Sequence, residues 1–205
     1  MATSKRSTEV RQGEIVRAAL ELIGSRGLEG LRVAAVARKV GLVPSAIYRH
    51  YRNKDEVLDA ILEYIQARLR ANVRAVSLVE AEALARLRAL LTHHVNLIRE
   101  SAAIPMVVFS GEVCAGSPRR REQLLGIIES YLADVAILVE QGQREGSVRP
   151  ELEPGAVAML FLGLIQPSAL VWHLSVGRFD VSRQAEAAWP LFCRAIQTQP
   201  LEGAI

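Results

Sequence analysis

The chain has 205 residues, half of them apolar and 5% aromatic, with 25 Lys and Arg against 22 Asp and Glu for a formal net charge of +3. That is material for a sizeable core, and two cysteines are too few for a disulfide framework. Without alternating apolar and polar runs there is little from which to build a sheet, so the sequence predicts an all-α protein, read here as nine helices in two domains.

The N-terminus is polar and basic and has no apolar core of a secretory signal, which places the expected site of action in the cytoplasm. A first helix is expected over roughly 9–25, turning Ile15, Ala19, Leu22 and Ile23 inward and ending at Gly27. The next stretch, LRVAAVARKVGLVPSAIYRHY at 31–51, carries the most information. Val33, Val36, Ala37 and Val40 fall on one face of a second helix, and Ala46, Ile47 and Tyr51 continue the spacing in a third, across a break at Gly41-Leu42-Val43. Ala37 is small where two helices must cross, Gly41 suits a backbone with positive φ past a helix end, and Ile47 plugs the angle between them. A helix-turn-helix has this layout; a short αα-hairpin without DNA function is the plainer alternative.

Residues facing away from that shared core suit DNA. Pro44 sits at a first helical position, where its missing N–H costs nothing. Ser45 and Arg49 are placed to reach base edges in the major groove, and Tyr48, His50 and Lys54 form a group of donors suited to phosphate. Taken singly, each could equally be a solvated polar side chain. Charge distribution supports the DNA reading: residues 1–54 hold eleven Lys and Arg against four acids, a net +7, whereas the remainder holds fourteen against eighteen.

A fourth helix is expected from an Asn53 N-cap, with Glu56 as capping-box partner, to about Arg74 through Val57, Ile61, Tyr64, Ile65 and Leu69. It is read as the one continuous element joining the two domains. A helix over about 80–100 follows with Leu84, Leu87, Leu91, His94, Val95 and Ile98 on one face, then a short helix over 103–114. Ser117-Pro118 opens a long helix that stops at Gly146, and its Arg119-Arg120-Arg121 is expected as a solvated first turn, although that charge opposes the helix dipole. Residues 154–176 are almost wholly apolar, with a kink expected at Pro167, and a last helix is expected over 182–198.

Within that apolar segment, residues 155–172 lack any charge, which meets the length of a membrane span. The Gln166-Pro167-Ser168 interruption and the absence of a basic cytoplasmic flank favour a buried helix instead. Such a helix has more apolar surface than one small domain hides, pointing to a two-fold dimer. No phosphate loop, nucleophile elbow or paired metal-ligand spacing is present, so neither an enzyme nor any cofactor or metal is expected. His93 and His94 adjoin and point about 100° apart on a helix, so they cannot form a ligand pair; His94 is read as a core histidine bonded to a neighbour, with ligand contact as the alternative. Cys114 and Cys193 have apolar neighbours and are expected as buried thiols, with a redox role for Cys114 as the alternative.

From Ile15 to Leu58 the chain resembles the DNA-binding domain of the tetracycline-repressor (TetR) family of bacterial transcription regulators. The likeness runs through Ile15, Ala18-Ala19, Leu22, Gly27, Val36-Ala37, Gly41, Ile47-Tyr48, His50-Tyr51, Lys54 and Leu58. It implies phosphate contacts from Tyr48, His50 and Lys54, and base reading by Ser45, Ala46 and Arg49. The family usually has Ser or Thr where this chain has Arg32 and Val43. Both helices therefore lack a side-chain N-cap, Arg32 is left to meet a phosphate, and Val43 a thymine methyl. The resemblance implies a DNA-binding domain at 1–53 and a ligand-binding and dimerisation domain at 54–205, linked by the helix over 54–75. It also implies a homodimer built on the last two helices, here through Leu162, Gln166, Ala169, Ala188, Leu191, Phe192 and Ala195. The pocket wall would be drawn from His94, Met106, Phe109, Tyr131 and Trp172. Beyond residue 75 its support is thinner, in GSVRPELEP at 146–154, GLIQ at 163–166 and GRFD at 177–180. The function implied is a repressor released from a palindromic operator by a small, mostly apolar effector. The alternative is a helical partner-docking or architectural protein without ligand-regulated operator binding.

Overall fold

Helices form almost wherever the apolar spacing asks for them. The computed structural model describes residues 2–78, 82–101 and 103–198, with side chains from Val10 onward. Among those residues are eleven α-helices, a single 3-10 turn at Leu28–Gly30 and no strand beyond an antiparallel bridge between Val148 and Gln197. In chain order they are α1 (Ala2–Arg26), α2 (Val33–Lys39), α3 (Pro44–Ile47), α4 (Lys54–Ser77), α5 (Ala83–Glu100), α6 (Ala103–Val108), α7 (Gly111–Cys114), α8 (Pro118–Arg144), α9 (Pro154–Gly163), α10 (Gln166–Leu174) and α11 (Val181–Ile196). The expected start of the fifth helix near residue 80 lies outside the described residues.

Two expected helices are each divided, which accounts for eleven rather than nine. Over 103–114 the chain stops at Val108 because Ser110 starts a new helix: its Oγ accepts from the Val113 N–H at 3.2 Å as an N-cap. Over 154–176 the break comes ahead of Pro167. A proline ring clashes with the carbonyl four residues back, here that of Gly163, and α9 ends at that residue. The N–H groups of Leu164 and Ile165 turn instead to Phe161 and Leu162, three residues back, and α10 restarts with Pro167 in its first turn. Residues 154–174 are apolar and long enough to cross a membrane by length and composition, yet α9 and α10 both pack against α11.

By packing, the chain divides into two units that interleave along the sequence. One comprises Met1–Ala67 and Ile98–Leu125, the other Arg68–Leu97 and Gly126–Ile205. Packing divides the chain elsewhere than the 53/54 boundary read from sequence, which is taken up below. Three helices, α4, α5 and α8, run from one unit into the other.

In the first unit Ile15, Ala19, Ile23, Leu31, Val36, Ala37, Ile47, Leu58 and Ile61 form a fully buried core. To this core α6 adds Ala103, Ile104 and Val107 by packing on α1. Asn53 caps α4 as expected, its Oδ1 accepting from the Glu56 N–H at 2.9 Å, and the Glu56 carboxylate accepts from the Arg52 N–H at 2.8 Å. In the second unit Phe192 meets Phe161 edge-on at 5.8 Å and Trp189 at 5.5 Å between ring centroids. Gly142, near the end of α8, lets Val148 approach so closely that a Cβ there would lie 2.6 Å from its Cγ2.

Candidate nucleic-acid interface

The helix-turn-helix is built from few residues. Leu31, Val33, Val36, Ala37, Ile47 and Tyr51 are buried beneath it. Gly41 takes φ of 69°, the left-handed value that favours glycine, and the Leu42 N–H returns to the Ala37 carbonyl at 2.9 Å to close α2. The helical path of α3 continues as a turn, since the Tyr51 N–H reaches the Ile47 carbonyl at 2.9 Å. Arg32 and Val43 sit at the two N-caps in extended backbone, and neither side chain caps its helix.

With Ile47 fixed inward, Val43, Pro44, Ser45, Tyr48 and Arg49 are exposed around it, as is Arg32, while Ala46, His50 and Lys54 are half-buried. Burial raises the Tyr51 hydroxyl's pKa, with Glu63 adding to it, so Tyr51 serves the core as a neutral ring. Lys39 of the motif is paired with Glu21 at 2.7 Å.

Sequence reasoning missed a group of ions behind this motif. Lys54 Nζ lies 2.8 Å from Glu112 Oε1. Arg120, only 8% exposed in its side chain, donates from Nε to Asp59 at 2.9 Å, from one terminal nitrogen to the Glu112 carbonyl at 3.2 Å, and from the other to Asp55. The solvated first turn expected of Arg119-Arg120-Arg121 is thereby corrected at its middle residue. A cation in the first turn of a helix, against the dipole, was the signal: it called for an anion supplied from elsewhere. Asp55 and Asp59, one helical turn apart at the start of α4, supply it.

The residues proposed for a pocket divide between the units. His94 and Tyr131 come together in the second, with Nδ1 3.0 Å from the hydroxyl and the rings edge-on at 5.2 Å. Burial lowers the His94 pKa to about 4 and raises that of Tyr131, to which Asp134 adds, so both groups stay neutral. Trp172 is half-buried on α10 in the same unit, whereas Met106 and Phe109 belong to the first. Among the residues proposed for a dimer face, Leu162, Ala169 and Phe192 are buried within their own unit. Their side chains pack in the second unit. Gln166 and Ala188 are half-buried, and Leu191 and Ala195 are exposed. The apolar surface left open includes Leu160, Leu170, Leu174 at 71% and Leu191 at 60% exposure. Cys114 is exposed rather than buried, and Cys193 is half-buried, with its thiol pKa raised by burial. Among the described residues no His, Cys, Asp and Glu cluster could hold a metal ion.

Residues 15–61 match the model of bacterial regulatory proteins of the tetR family, and residues 80–196 match that of the tetracyclin repressor-like C-terminal domain. The nucleoid occlusion factor SlmA of Vibrio vulnificus is 26% identical over 201 residues, covering 96% of this chain and all of its own. A transcriptional regulator from Saccharomonospora viridis, solved in complex with choline, superimposes with a TM-score of 0.79 at 18% identity, over 93% of this chain and all of that one. FadR from Bacillus subtilis, solved in complex with stearoyl-CoA, does so with a TM-score of 0.75 at 18% identity, over 88% of this chain and 96% of that one. With the two family models together spanning the helix-turn-helix and the helical body, the chain belongs to the TetR family of bacterial regulatory proteins and is a DNA-binding transcriptional regulator.

Proposed function

We propose that the protein is a homodimeric repressor acting in the cytoplasm, released from a palindromic operator by a small, mostly apolar effector, and that it is not an enzyme. Residues 1–53 would do the reading and 54–205 the sensing and dimerisation, with α4 linking them. The observation that carries the DNA reading is the orientation of α3: Ile47 is buried while Ser45, Tyr48 and Arg49 are exposed beside it. In this reading Ser45, Ala46, Arg49 and Val43 face bases, and Arg32, Tyr48, His50 and Lys54 face phosphates. The exposed apolar positions on α10 and α11 form the dimer face, and an effector site includes the neutral His94–Tyr131 pair, which offers polar contacts inside an apolar unit.

Binding of the full-length protein to a selected operator and to a random-sequence duplex, over a range of salt, tests this. Lys54→Ala should weaken both complexes alike, whereas Arg49→Ala should lose about 1–3 kcal/mol on the operator alone. Equal losses in both variants on both duplexes would remove Arg49 from the base-reading set. A second reading, DNA binding of an architectural kind without an effector, is favoured by the full-length likeness to a nucleoid occlusion factor. It requires that no small molecule change operator affinity.

A further inference from the structure

The phosphate role given to Lys54 meets an obstacle in the fold, because the ammonium group already has a partner. Glu112 belongs to α7, 58 residues further along the chain, and its carboxylate holds Lys54 Nζ at 2.8 Å. We infer that Glu112 is a positioning residue for DNA binding, an intramolecular stand-in for phosphate that holds Lys54 back and must release it when the duplex docks. This rests on the reading of Lys54 as a phosphate contact.

The two ends of the ionic group differ in a way that suits such a latch. The Lys54 and Glu112 side chains are 31% and 40% exposed, so water and ions reach the pair and can exchange it. Arg120 is the opposite: its buried guanidinium binds Asp55 and Asp59 of α4 and at the same time the backbone carbonyl of Glu112. It therefore fixes α7 against the start of α4 and keeps the Glu112 carboxylate within reach of Lys54. Ser110 caps α7 just ahead and fixes its first turn. A phosphate arriving at Lys54 brings a second negative charge next to Glu112, and one carboxylate and one phosphate cannot share the same ammonium group without repulsion. The competing anion is thus set by the 98–125 segment, which is continuous with the second unit through α5 and α8.

Counterions give the latch a readout that a merely structural ion pair lacks. When wild-type protein docks, phosphate releases a cation but the freed Glu112 carboxylate recruits one. Without that carboxylate the net release rises by about one ion per subunit. The experiment measures binding of the full-length protein to a fluorescent random-sequence duplex across a salt series, for wild type, Glu112→Gln, Lys54→Ala and the double variant. Glu112→Gln should bind about two- to fivefold more tightly per subunit, the range of an exposed ion pair, and with a salt slope steeper by about one. In the Lys54→Ala background the same change should do nothing. Weaker or unchanged binding by Glu112→Gln, with Lys54→Ala still impaired, overturns the latch and leaves the DNA reading standing. An equal gain in both backgrounds also overturns it, because the effect would then be only the removal of a negative charge. Lys54→Ala binding like wild type overturns the latch together with the phosphate role on which it rests.

Discussion

Acidification should destabilise the protein through one imidazole. Burial holds His94 at a pKa of about 4 in the fold, against 6.5 in a model peptide, so in the native state it stays neutral until the pH approaches 4. In the unfolded chain the ring takes up a proton below about 6.5. Between those values the unfolded state binds the extra proton, and stability falls as the pH falls. The contribution is complete above about pH 6.5 and gone once the pH has passed through about 4. At about 1.36 kcal/mol per pH unit the gap amounts to about 3 kcal/mol, a large share of a typical 5–15 kcal/mol total. The assay is urea unfolding at a series of pH values for wild type and His94→Gln. The variant removes the titrating ring but keeps a side chain able to bond the Tyr131 hydroxyl. Carboxylates titrate in both proteins and cancel in the difference. Wild type should lose about 3 kcal/mol more than the variant between pH 7 and pH 4. Parallel curves would refute the reasoning, since they would mean that the imidazole is protonated or hydrated inside the fold.

Arg120→Ala leaves the Asp55 and Asp59 carboxylates and the Glu112 carbonyl without their shared donor. Asp55 is 66% exposed and regains water, so the loss falls on Asp59, 19% exposed, and on the carbonyl, and should amount to about 1–3 kcal/mol in urea unfolding; no measurable loss would place the guanidinium in solvent. Leu191→Glu and Leu162→Glu should part company in sedimentation: the first, on an exposed position of α11, should give a folded monomer. The second places a charge in the core of the second unit and should unfold it, losing at least the roughly 2–5 kcal/mol that truncating a buried leucine removes. A folded monomer from Leu162→Glu would instead place that residue at the dimer face.

Much of the head was legible because its determinants are local. Gly41, Ala37 and Ile47 fix a turn, a crossing and a plug within eleven residues, and Asn53 with Glu56 marks the next helix start by capping chemistry alone. Pro167 announced an interruption, and because a proline ring strikes the carbonyl four residues back, the break lies ahead of the ring, at Gly163, rather than at the ring itself. The ionic group was illegible for a different reason. Glu112 and Arg120 lie 58 and 66 residues from Lys54, and only packing of the 98–125 segment into the first unit brings them there. For Leu162 and Phe192, apolar periodicity said that a face was buried without saying whether by the same subunit or by another.

The interleaving of the units bears on how the protein is made. A ribosome releases the chain from its N-terminus at about 5–20 residues per second, and domains that are continuous in sequence fold in that order. Here the DNA-reading unit lacks Ala103, Ile104 and Val107 against α1, and Arg120 against Asp59, until the chain has grown 58 residues past Ala67. For about 3–12 s at those rates the basic head of the nascent chain is incomplete, its apolar side open to water or to a chaperone. The head reaches its finished form only after residues 68–97 of the other unit have been synthesised, so a message truncated ahead of residue 98 leaves the head without α6 and Arg120.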